Sequence, residues 1–184
     1  MGSQERQPSP NRARVRSLDD LAERVPPLDA LKLVVVESAG LGVLFTIFAV
    51  LDAVDSALAP LLVPPAVSFV LIVANSAVPG SRPLRVVGAY LIAGVVGLGF
   101  SALPGPTLVE AVVACALALL LMHLTGALHS PAIAVTMIAV LADFSAPAAA
   151  ASLPLLLGLS VLVVVLAWVA HALLGDAAYP TAWY

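Results

Sequence analysis

Between Leu33 and Leu173 the chain carries seven charged side chains: Glu37, Asp52, Asp55, Arg82, Arg85, Glu110 and Asp143. Around them lie apolar runs that proline and glycine break. A helix needs about 20 such residues to cross a hydrocarbon core ~30 Å thick, and inside that core only helices and closed barrels satisfy their own backbone. Hydrophobic residues make up 61% of the 184 and charged residues 10%, with a mean hydropathy of +1.08. A soluble domain is nearer half apolar and a quarter charged. An ordinary globular domain and a disordered chain are both excluded. Residues 31–174 hold about six segments joined by tight loops, which leaves no room for a soluble catalytic domain.

The runs fall at 31–51, 58–78, 84–103, 107–125, 131–142 and 153–174. The second contains Pro60, Pro64 and Pro65, and its uninterrupted part, 66–78, would be a helix of roughly 20 Å. The fifth is also short. Pro104, Gly105 and Pro106 spell a tight turn. Residues 1–30 are polar, mixed in charge and proline-bearing, a composition that cannot order itself, and are expected to form a disordered cytoplasmic tail. Residues 175–184 form a short C-terminal tail, with Tyr179, Trp183 and Tyr184 suited to the interface. Cys115 is the sole cysteine, so neither an intrachain disulfide nor a cysteine-based metal site is expected.

Six of the eight Lys and Arg residues precede the first run or open it, and the other two, Arg82 and Arg85, share one loop. Basic residues collect on the cytoplasmic side of short loops. Placing both groups inside requires two crossings between them, so the expected topology has six crossings with both termini cytoplasmic. The alternative has four spans plus two re-entrant helices.

The first three runs echo the last three. Pro65-Ala66-Val67 opens the second run and Pro131-Ala132-Ile133 the fifth, each flanked by longer runs. A repeat of three segments inverts its second copy in the membrane, and inverted repeats with broken middle helices place substrate near the midplane. The fold expected is an all-α transmembrane bundle with a 3+3 inverted repeat and two short helices. The free N–H groups at the two short helix starts would face each other and suit an anion.

The stretch Leu128-His129-Ser130-Pro131-Ala132-Ile133-Ala134-Val135, with Pro64-Pro65 before a short run and Pro83 to Tyr90 opening a glycine-rich one, resembles the HPP family of integral membrane proteins. The resemblance covers residues 31–174. It departs at Ser130, where the family has the central proline of His-Pro-Pro, and at Ala66 and Ile133, where glycine is usual. Gly88-Ala89-Tyr90 stands in place of Gly-Gly-His. The resemblance implies four spanning helices and, from chloroplast and cyanobacterial members, nitrite transport.

The candidate substrate-binding residues are Pro65, Ser68, His129, Ser130, Pro131 and Thr136. His129 could hydrogen-bond an anion or carry a proton, Ser130 is a natural N-cap, and Ser68 and Thr136 are polar groups within short apolar helices. His123 and His129 lack metal-ligand spacing. No GxSxG or HExxH occurs, and no enzyme activity, cofactor, metal or nucleic-acid partner is expected. The expected partners are a small anion, the lipid bilayer and, in a homo-oligomer, further copies of the chain. The function expected is transport of a small inorganic anion, nitrite being the family-derived candidate, in a bacterial inner membrane. The alternative is a non-transporting scaffold or partner-binding subunit.

Overall fold

The computed structural model describes residues 27–184 except 55, 57, 104–106, 143, 145 and 176–178. Most of the expected N-terminal tail, the 104–106 turn, Asp55 and Asp143 lie outside the described residues. Six α-helices follow one another: α1 Pro27–Val54, α2 Val63–Ala74, α3 Pro83–Ser101, α4 Leu108–Thr125, α5 Ala132–Leu141 and α6 Ala146–Leu174. Short 3-10 turns cover Ala59–Leu62 before α2 and Pro79–Ser81 before α3. No strand occurs among the described residues.

Each apolar run yields one helix, and local chemistry sets its ends. Proline opens α1, α3 and the first turn of α2, where its missing N–H is one the helix leaves unpaired anyway. A capping box opens α4: the Glu110 N–H donates to Thr107 Oγ1 at 3.2 Å, and the Thr107 N–H donates to Glu110 Oε2 at 2.7 Å. Gly126 stops α4 at φ 70°, a left-handed conformation that glycine adopts without steric cost. α6 begins earlier than the expected residue 153. Pro147 falls in its first turn, and Pro154 is carried inside the helix.

Four helical stretches are long and apolar enough to cross a membrane: Leu28–Ala53, Pro83–Ser101, Leu108–Thr125 and Ala148–Leu174. The other two helices are short. α2 has 12 residues and α5 has 10, or roughly 18 and 15 Å at 1.5 Å per residue.

The chain reverses direction at every connection. Gly40 of α1 meets the Phe69 ring of α2, which occupies the place a Cβ would take, so α2 returns antiparallel to α1. Past α2, the loop holding Gly80 and Ser81 bonds to His129, just before α5, and to Tyr179, just after α6. The end of α2, the start of α3, the end of α4, the start of α5 and the end of α6 thus share one end of the bundle. Lys32, Arg82 and Arg85, the Lys and Arg among the described residues, all lie toward it; it is called the basic end below. Asp52 and Glu110 sit at the far ends of α1 and α4.

α3 is the central helix and packs on α4, α5 and α6. Small residues allow the close approach. A Cβ on Gly97 would stand 2.7 Å from Ala139 Cβ and 3.1 Å from the Thr136 backbone. The Thr136 hydroxyl donates to the Ala93 carbonyl at 3.2 Å across the same contact. α1 is the outer helix, with Val34, Val35, Val43, Phe45 and Val50 exposed, as suits a helix facing lipid.

Candidate functional site

The left-handed turn at Gly126 redirects the chain from α4 into α5 through Ala127, Leu128 and His129. His129 is buried, 2% exposed, and both of its ring nitrogens are engaged. Nδ1 lies 2.8 Å from the Gly80 carbonyl and Nε2 2.8 Å from Ser68 Oγ. Ser68 Oγ lies in turn 2.7 Å from Tyr90 Oη. Ser68 and Tyr90 are both fully buried.

The partners fix the direction of this chain. A carbonyl oxygen only accepts, so Nδ1 carries the proton. In the neutral imidazole Nε2 then accepts. Ser68 therefore donates to Nε2, and Tyr90 donates to Ser68. The result is a directed series, Tyr90 O–H to Ser68 O–H to His129, closed by Nδ1–H to Gly80. It joins α3, α2, the α4–α5 connection and the loop before α3. The Tyr90 and His129 rings stand 6.2 Å apart and tilted by 41°.

The other candidates are placed differently. Pro65 is buried in the first turn of α2. His129 meets the middle of α2, at Ser68, and the loop beyond its C-terminal end, so the start of α5 adjoins the C-terminal half of α2 and not its proline-rich start. Ser130 is exposed. It does not act as the expected N-cap: Pro131 occupies that position with helical dihedrals, and no side chain caps α5. The reason is the tight entry, in which the Ala132, Ile133 and Ala134 N–H groups donate to the His129, Ser130 and Pro131 carbonyls at 3.1, 3.1 and 3.2 Å. Thr136 is buried and its hydroxyl is taken up by α3. His123 bonds the Leu119 carbonyl of its own helix at 2.8 Å, away from His129's partners. No group of three or more His, Cys, Asp or Glu side chains able to hold a metal occurs among the described residues.

A cavity of about 400 Å³ opens beside His129, lined by Asn75, Gly80, Ser81, Arg85, His129 and Ser130 together with apolar neighbours. It lies at the basic end. The C-terminal segment borders this region. The Leu84 N–H donates to the Trp183 carbonyl at 3.0 Å and Arg82 Nη1 to the Tyr184 main-chain oxygen at 2.6 Å. The Tyr184 hydroxyl donates to the Thr125 carbonyl at the end of α4. Tyr179 is buried, stacks on His171 at 4.8 Å and donates to the Ser81 carbonyl at 3.1 Å. Burial pushes its phenol up to about 12. Tyr179, expected at the interface, is thus held inside the bundle, and His171 is buried beside the Ile72 carbonyl, with its Nε2 at 3.3 Å.

Three contributors to the site carry little signal in the sequence. Tyr90 carries the one phenol in the run 84–103, and that isolation was a usable signal. Arg85 marks topology by its charge, which does not by itself point to the site. Gly80 contributes a backbone carbonyl, which leaves no mark in a sequence.

Apolar outer faces, four helices of spanning length, two short ones and a buried polar chain define an all-helical integral membrane protein. Residues 23–180 match the family described as HPP, transmembrane region. The chain belongs to the HPP family of membrane proteins. No curated protein and no solved structure is similar enough to add to this.

Proposed function

We propose that the protein is a transporter or channel for a small inorganic anion, with nitrite as the candidate suggested by the family. The observation that carries this reading is the buried series Tyr90–Ser68–His129 in otherwise aliphatic helices, ending at a cavity that holds a guanidinium. Polar groups within membrane segments are costly and default to function. His129 and Ser130 line the cavity and would meet the anion. Ser68 orients the imidazole, Thr136 ties α5 to α3, and Pro65 and Pro131 fix the starts of the short helices. The helix directions, away–back–away and then back–away–back, suit a 3+3 inverted repeat. Basic residues gathered at one end support a cytoplasmic placement of that end and of the N-terminus, in a bacterial inner membrane.

Ser68 and His129 have the spacing of a nucleophile and its base. We read them as positioning groups. Ser68 is fully buried, and the place of a third, acidic member is taken by the Gly80 carbonyl. A scaffold without transport is the second reading. The observation that favours it is that both His129 nitrogens and Ser68 Oγ are already satisfied within the protein, as in a histidine that only holds a core together.

Flux into proteoliposomes, tested with nitrite, nitrate, chloride and bicarbonate, decides between them. Transport predicts uptake of at least one anion well above protein-free vesicles. Uptake equal to those vesicles for the whole panel, from folded protein, selects the scaffold.

A further inference from the structure

We infer that Arg85 is the anion-holding residue of the basic-end cavity, and that its ligand is a small monovalent oxyanion gripped by the guanidinium. The inference rests on the anion reading above and names the side chain that reading lacks.

Arg85 lines the cavity with His129 and Ser130. It is partly buried, and its Nε–H is shielded from solvent without a hydrogen-bond acceptor. Among the described residues the one ion pair is Lys32–Asp29 at 3.8 Å, and no carboxylate lines the cavity. A cation taken out of water without a counter-charge is unfavourable. The guanidinium fork matches two oxygens of an oxyanion better than any other side chain does. Tyr184 prepares it: the Arg85 Cζ lies 5.4 Å from the centre of that ring, and the ring is itself fixed by its hydroxyl's bond to Thr125. Arg82 makes a useful contrast. Its Nε–H also lacks an acceptor, but Arg82 does not line the cavity, and its Nη1 is spent on the Tyr184 main-chain oxygen.

The size of the cavity sets the manner of binding. About 400 Å³ exceeds by roughly tenfold the ~30 Å³ share of one liquid water. The anion therefore enters with part of its hydration, and Arg85 acts at a vestibule, where it concentrates and orients the anion ahead of His129. Oxyanion chemistry at this end of the bundle has two sources, a dissolved anion and the phosphate of a lipid headgroup.

The test is calorimetric titration of sodium nitrite into the full chain in nanodiscs of phosphatidylcholine alone, with a parallel series containing phosphatidylglycerol. Arg85→Gln is expected to weaken nitrite binding at least tenfold, Arg85→Lys to recover part of the loss, and Arg82→Gln to stay within threefold of wild type. A second measurement needs no variant: phenylglyoxal modification of Arg85, followed by peptide mass analysis, should slow at least fivefold at saturating nitrite. Nitrite binding by Arg85→Gln within twofold of wild type overturns the inference. So does protection of Arg85 by phosphatidylglycerol and not by nitrite, which would make this a lipid-phosphate site. Arg85-dependent binding without flux leaves the inference standing and removes the transport reading. Flux that Arg85→Gln leaves unchanged at low nitrite does the reverse.

Discussion

Replacing Ser68 by Ala tests the direction of the buried chain. Ser68 Oγ is the middle member, 2.7 Å from Tyr90 Oη and 2.8 Å from His129 Nε2. Its loss leaves two buried groups without partners, the Tyr90 O–H donor and the Nε2 acceptor. Each orphaned group costs about 1–3 kcal/mol, so Ser68→Ala is expected to cost ~2–6 kcal/mol. Tyr90→Phe removes only the terminal donor, and Ser68 still donates to His129. Its cost should be that of one ordinary hydrogen bond, about 0.5–1.5 kcal/mol. In the double variant no tyrosine donor is left stranded and only the Nε2 acceptor lacks a partner, so the two single costs should exceed the double by about 1.5–4.5 kcal/mol. Reversible unfolding in mixed micelles with rising dodecyl sulfate, followed by Trp168 and Trp183 fluorescence, measures all three. Additive costs, or a Ser68→Ala no worse than Tyr90→Phe, would refute the directed chain.

Gly97→Ala would put a Cβ 2.7 Å from Ala139 Cβ, about 1 Å inside ordinary carbon contact. It should push α3 from α5 and cost ~1–3 kcal/mol in the same unfolding assay; a neutral result would contradict the close crossing. Thr107→Ala removes the capping box of α4 and should cost ~1 kcal/mol, read as a lower unfolding midpoint. Ala77→Cys, at an exposed position on the basic-end loop, in a Cys115→Ala background, should react with an impermeant thiol reagent in inverted vesicles and resist it in intact cells. The opposite pattern would reverse the orientation.

The six helices were legible because hydrophobic run length is a strong signal, and their ends were less so. The helix read as 66–78 is α2, which starts at Val63 and stops at Ala74. Its start was read late because Pro64 and Pro65 look like breakers, although both sit in the first turn. Its end was read late because Asn75 leaves the helix with φ −148° and ψ 63° inside a run that is still apolar. The same first-turn tolerance, at Pro147, hid the start of α6 at Ala146. Ser68 and His129 were visible one by one, yet their contact spans 61 positions and no periodicity announces it. The expected N-cap role of Ser130 failed because its backbone is already inside a tight turn. The C-terminal segment is bound largely through main-chain oxygens of Ser81, Thr125, Trp183 and Tyr184, which any residue supplies.

If an anion passes His129 and Ser130 at the start of α5, a fixed negative charge there must block it. Nitrite uptake by proteoliposomes containing Ser130→Asp tests it most directly, because that exposed position lines the cavity. A carboxylate about 4 Å from a bound anion repels it by ~4 kcal/mol at an effective dielectric of 20. Uptake should fall nearly to the level of protein-free vesicles, while Ser130→Ala, which adds no charge, loses less than tenfold. Folded Ser130→Asp that transports as wild type would contradict the account.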